Sequence, residues 1–166
     1  IKQLQERFST EVVSKQFYIS IAELFTKLVG GKRGKITYPG LLKINDNLSR
    51  HIKRPEFAVR LIGRIIFSWL LKEKKSASGT PIIPKELLSH DAVANSHDYY
   101  HSVLELLFFE LLNKRVESRD ESINTRPFST VPYLNGGLFD PQDDDYYNRG
   151  SSIAGTPSPV YIPDSW

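Results

Sequence analysis

The run from Phe57 to Lys75, FAVRLIGRIIFSWLLKEKK, constrains this chain more than any other stretch. Its apolar residues Phe57, Leu61, Ile62, Ile65, Ile66, Phe67, Trp69, Leu70 and Leu71 recur at steps of three and four, the period of an α-helix. Between them they occupy nearly the whole circumference, so a buried helix at the centre of the core is expected. Two arginines interrupt it. At about 100° per residue, Arg60 and Arg64 fall together on a narrow sector with Phe67 and Leu71. Guanidinium groups so placed pair with carboxylates of a neighbouring element or snorkel to its edge. The alternative is that they hold a phosphate or an adjacent domain.

The size of the chain fits one globular domain. At 166 residues and 40% hydrophobic composition, it is long enough to bury roughly two thirds of its unfolded surface. No apolar run reaches the ~18 residues a membrane span requires, because Arg60, Arg64 and Lys72 break the best candidate, so no membrane association is expected. The absence of cysteine excludes a disulfide framework and thiolate chemistry, and fits a reducing, cytoplasmic setting. The chain has no methionine and opens on IKQLQERF, which reads as a piece cut from a longer polypeptide rather than a start or a signal peptide.

Charge is unevenly distributed. Up to Arg126 there are 21 basic and 14 acidic residues, and from Pro127 onward one basic against five acidic. The basic portion suits a polyanion. Its densest part is Arg50, His51, Lys53 and Arg54 ahead of Pro55, a suitable first-turn residue for the central helix. With Arg60 and Arg64, these make Arg50, Lys53, Arg54, Arg60 and Arg64 the candidates for contact with a nucleic-acid backbone.

The remaining periodicity is helical. Leu4, Phe8, Val12, Phe17, Ile21, Leu24, Phe25 and Leu28 predict one long amphipathic helix, with Ser14 as a candidate break, ending at Gly30-Gly31. Tyr100, Val103, Leu104, Leu107, Phe108, Leu111 and Leu112 predict another over 98–116, with a short one at 85–89 and a flexible loop over 117–126. The expected architecture is all-α, a bundle of three to five helices. It divides into a helical domain, 1–126, and a turn-rich, extended segment, 127–166.

Several motifs fail on their chemistry. GGKRGK at 30–35 lacks the P-loop spacing, and Ile36 stands where Ser or Thr must bind Mg²⁺, so it reads as a basic turn. Glu73-Lys74-Lys75 resembles half a nuclease signature but has no upstream metal-binding Asp. His97 and His101 have a helical zinc spacing without the Glu of H-E-x-x-H, and no metal site is expected. Asp143 to Asp145, in a turn-rich stretch, read as solvated carboxylates. Thus no catalytic residue is assigned. VPYLNGGLFD at 131–140 reads differently. Asn135, Gly136 and Gly137 tolerate left-handed backbone, and Pro132, Tyr133 and Phe139 supply flanking rigidity and anchors, so a tight structural turn pinned into the helices is expected.

The order of RLIGRIIFSWLLKEKK, VPYLNGGLFD and VYIPDSW resembles the helical region of type IIG-like restriction-modification proteins and related phage-defence adenine methyltransferases. That resemblance implies a non-catalytic helical connector between a nuclease domain and a methyltransferase domain, with DNA as the partner of the whole. It also implies S-adenosylmethionine and Mg²⁺ for the parent. Neither the Gly-rich cofactor loop nor an N-P-P-Y motif occurs in these residues, so no cofactor is implied for this stretch itself. The alternative is a stand-alone helical module that binds another protein.

Overall fold

The computed structural model describes residues 2–44, 53–77, 79–134, 136–142, 145 and 160–162. Two compact units emerge, Ile1–Leu42 and Lys43–Trp166. The fold is mainly helical, as the periodicity predicts.

The first unit is a long helix followed by a hairpin. Helix α1, Lys2–Val29, runs without a break and ends at Gly30, whose φ of 92° is the left-handed stop that the paired glycines predict. Strands β1, Gly31–Arg33, and β2, Ile36–Tyr38, then pair antiparallel, with Arg33 opposite Ile36, so GGKRGK is a two-residue hairpin turn with Gly34 at φ 59°. Gly40 closes the unit. A Cβ at Gly40 would lie 2.8 Å from the Val29 carbonyl oxygen, so only glycine lets the returning chain come this close to the end of α1.

The second unit is built on the central helix. After strand β3, Lys43–Ile44, helix α2 spans Arg54–Glu73, with Pro55 in its first turn and Lys72 near its carbonyl end. Phe57, Ala58, Leu61, Ile62, Arg64, Ser68 and Lys72 are buried, a single stripe. The expected all-round burial is not what forms: Val59 is 61% and Leu70 55% exposed, and Phe67 and Trp69 are also exposed.

The loop after α2 returns through Ile83, Leu87 and Leu88, all buried, and is held by the Lys72 ammonium, which donates to the Leu88 carbonyl at 2.9 Å. Residues 85–87 form a turn, not the helix that the sequence suggests. The short helix α3, His90–Ala94, starts just after it, where the Ser89 side chain accepts from the Ala92 amide.

The third core helix is wound as a π-helix over Tyr100–Leu104 and Leu106–Leu112. The Glu105 amide, for example, donates to the Tyr100 carbonyl, five residues back. Residues 107–112 are all buried, Glu110 among them. The periodicity of the sequence places this helix but gives no sign of its wide winding. It ends at Leu112, and the polar stretch beyond, expected to be a flexible loop, contains 3₁₀ turns at Val116–Ser118 and Glu121–Ile123. Arg119 is the reason it is ordered. It is 8% exposed and donates to the Leu111 carbonyl at 2.8 Å and the Lys114 carbonyl at 3.3 Å, satisfying the C-terminal end of the π-helix. Strand β4, Val160–Tyr161, pairs antiparallel with β3.

Candidate functional site

The buried stripe of α2 carries the site. Arg60 and Arg64, one turn apart, point the same way, and both meet Asp145. Arg64 is 2% exposed and the Asp145 side chain 0%; their closest N–O separation is 2.8 Å. Arg60 reaches the other carboxylate oxygen with its Nε at 3.3 Å and its terminal nitrogen at 3.2 Å. The same carboxylate accepts from the Gln142 amide at 2.8 Å, and the Asp145 amide donates to the Gln142 carbonyl at 2.9 Å. A buried charge is tolerated only when its hydrogen-bonding capacity is met, and here one acid serves two guanidinium groups and a backbone amide.

Arg64 also reads the turn element. Its Nε donates to the Leu138 carbonyl at 2.8 Å and a terminal nitrogen to the Asp140 carbonyl at 3.0 Å. Its other face lies over the Phe109 ring, 4.8 Å from the centroid. The planar fork thus ties α2, the π-helix and Leu138, Asp140 and Asp145 into one network, which a lysine's point charge would not do.

Around it lies an aromatic layer. Phe139 is buried, with its ring 5.9 Å from both Phe67 and Phe108. The Leu134 amide donates to the Leu112 carbonyl at 2.8 Å, and Arg115 lies over the Tyr133 ring at 5.3 Å. These contacts hold VPYLNGGLFD against α2 and the π-helix. Gly136 has φ −146°, ordinary extended backbone, and Gly137 opens a 3₁₀ turn, Gly137–Phe139, so neither glycine uses the left-handed backbone it tolerates. Asn135 lies outside the described residues, and Pro132 is half-buried at the start of the element.

Burial shapes the neighbouring titratable groups. It pushes the Tyr99 hydroxyl up to about 12, and that hydroxyl donates to the Leu87 carbonyl at 2.6 Å. The Tyr100 hydroxyl is raised as well, first by burial and then by the nearby Glu105 and Asp145 carboxylates. Burial also raises the Glu105 carboxyl, opposed by its hydrogen bond from His101. Among the described residues, no group of three or more His, Asp or Glu side chains could hold a metal ion.

The sequence-derived candidates thus separate. Lys53 and Arg54 are exposed at the start of α2, with Lys53 3.3 Å from Glu56. Arg60 is partly exposed at the rim of the Asp145 cluster. Arg64 faces inward and is occupied, matching the pairing reading of a guanidinium on an apolar helix. Arg50 lies outside the described residues. Asp145 is the correction to the sequence reading: composition predicts a solvated carboxylate in a run of three, whereas it is the acid that both arginines require. Its only signal in the sequence is that those arginines need a carboxylate.

A family model for domains of unknown function, DUF7814, matches residues 52–149, more than half of the chain and the whole of the site. The chain belongs to this family. Over 94 residues, 53% of its length, it is 37% identical to a Methanocaldococcus jannaschii protein provisionally named a type II restriction enzyme and methyltransferase. The match spans 8% of that relative's length. No solved structure matches.

Proposed function

We propose that this DUF7814 chain is a non-catalytic helical connector within a DNA restriction-modification polypeptide. The observation that carries this reading is the 37% identity to a small part, 8%, of a much longer relative whose name joins restriction to methylation. The site supports it: its charged groups are spent on one another and on backbone, an arrangement for fixing geometry rather than for chemistry. In this reading Arg64 and Asp145 set where the chain beyond the turn element leaves α2, and so how a following methyltransferase domain is presented. A nuclease domain lies on the other side of the connector. S-adenosylmethionine and Mg²⁺ belong to those neighbouring domains, and the setting is the cytoplasm, where phage DNA is met.

The exposed cations at the start of α2, Lys53 and Arg54, with Arg50 ahead of them and Arg60 at the rim, would lie along the phosphates of duplex DNA. Binding of a labelled duplex, measured against salt, tests this. Removing one phosphate-neutralising cation lowers the slope of log affinity on log salt by about 0.9. Replacing Arg50, Lys53 and Arg54 with Glu is therefore expected to abolish most duplex affinity. Unchanged affinity would contradict backbone contact.

A second reading has its own observation. Val59, Trp69 and Leu70 leave an apolar face of α2 exposed, the kind of surface an interaction module presents to another protein. A stable stoichiometric protein partner, with no DNA affinity, would favour it over the connector.

A further inference from the structure

The first unit, outside the family match, carries a second cationic surface of a different kind. Up to Leu42 there are seven basic residues against three acidic. Glu23 is paired with Lys27 at 3.1 Å, whereas Lys15, Arg33 and Lys35 have no carboxylate partner among the described residues. Lys15 and Arg33 line one concavity of about 580 Å³ between α1 and β1, together with Tyr18 and Ile19. Opposed residues of an antiparallel pair share a face, and successive residues along a strand do not. Arg33, which lines the concavity, therefore lies toward α1, Lys32 lies on the opposite face, and Lys35 stands in the hairpin turn two residues beyond Arg33. Tyr18 stands out in this concavity. Tyr18 is 71% exposed, with Phe17 edge-on to its ring at 6.1 Å, so a phenol ring is open to solvent in a concavity that Lys15 and Arg33 also line.

An exposed aromatic flanked by unpaired cations matches what a single nucleic-acid strand offers, a stackable base face with a phosphate on either side. Duplex bases are stacked on one another and cannot use the ring. We infer that the α1–hairpin unit binds a single DNA strand, with Tyr18 stacking on an unpaired base and Lys15, Arg33 and Lys35 against its phosphates. This inference is independent of the duplex binding proposed for Lys53 and Arg54.

The test is fluorescence anisotropy with the full 166-residue chain, using a labelled oligothymidylate of about 12 nucleotides and a duplex of equal length, across a salt series. The expected result is tighter binding to the single strand. Tyr18→Ala should weaken it about tenfold while Tyr18→Phe keeps it, because the ring rather than the hydroxyl is used. Arg33→Glu with Lys35→Glu should lower the single-strand salt slope by about 1.4. Circular dichroism melts check that each variant folds. Equal binding by wild type and Tyr18→Ala would overturn the inference, as would single-strand affinity that disappears only on changing Lys53 and Arg54. The latter result would leave the duplex reading intact, whereas single-strand binding with no duplex affinity would remove the duplex reading and leave this one.

Discussion

Each face of α2 departs from ordinary practice at particular residues. Its inner side buries a guanidinium, Arg64, among Phe57, Ala58, Leu61 and Ile62, while its outer side exposes Val59, Trp69 and Leu70. Burying a charge is costly and leaving large apolar groups in water forgoes burial, so neither face is what stability alone would select. The inner face resolves the conflict within the chain, through Asp145 and two backbone carbonyls. On the outer face the Lys72 ammonium lies 3.4 Å from the Trp69 ring centroid, while Val59 and Leu70 stay 61% and 55% exposed. One side of α2 therefore organises its own unit, and the other presents an exposed apolar surface.

Removing the inner carboxylate should have the largest effect. Asp145→Ala leaves Arg64 buried without its counter-charge and should cost about 3–5 kcal/mol in urea unfolding, whereas an intact midpoint would show that the two faces do not differ. Next comes Arg119→Met, which frees the Leu111 and Lys114 carbonyls at the end of the π-helix. A loss of about 1–3 kcal/mol is expected, and a neutral result would mean that those carbonyls find other donors.

Glu105 sharpens the comparison through pH. Burial raises its carboxyl above the ordinary 4.5, so the folded chain holds this proton more readily than the unfolded one. Its contribution to stability is fully present below pH 4.5 and is lost as the pH rises through the raised folded value. Glu105→Gln cannot ionise, so its stability relative to wild type should climb with pH above 4.5 in parallel thermal melts. A flat difference would count against a buried charge here. The smallest effect belongs to the outer face: Val59→Ser with Leu70→Ser should shift stability by no more than about 0.5 kcal/mol per site. A larger loss would mean that this face is not free.

Which parts were legible in sequence follows from the range of the interactions. Helical periodicity is local, so α1, α2 and the third core helix were placed by their own residues, and Gly30 marked the end of α1. The network at Arg64 was legible only as a need. A helix announces that its arginine must find an acid, but the partner lies 81 residues on, in a run of three aspartates that composition alone assigns to solvent. Arg119 was hidden for the same reason, inside a polar stretch whose order depends on carbonyls of the preceding helix. The exposed side of α2 could not be read from periodicity either, because nine apolar positions around a helix state a capacity for burial without saying which side the chain will cover.

The most direct test of the account is a double-mutant cycle on Arg64→Met and Asp145→Leu, with stabilities taken from urea unfolding. If the two side chains are a buried, mutually dependent pair, the double variant should be less destabilised than the sum of the singles by about 3 kcal/mol, since an apolar pair strands no charge. Additivity within about 0.5 kcal/mol would contradict the account, because Arg64 and Asp145 would then not be what holds the turn element to α2.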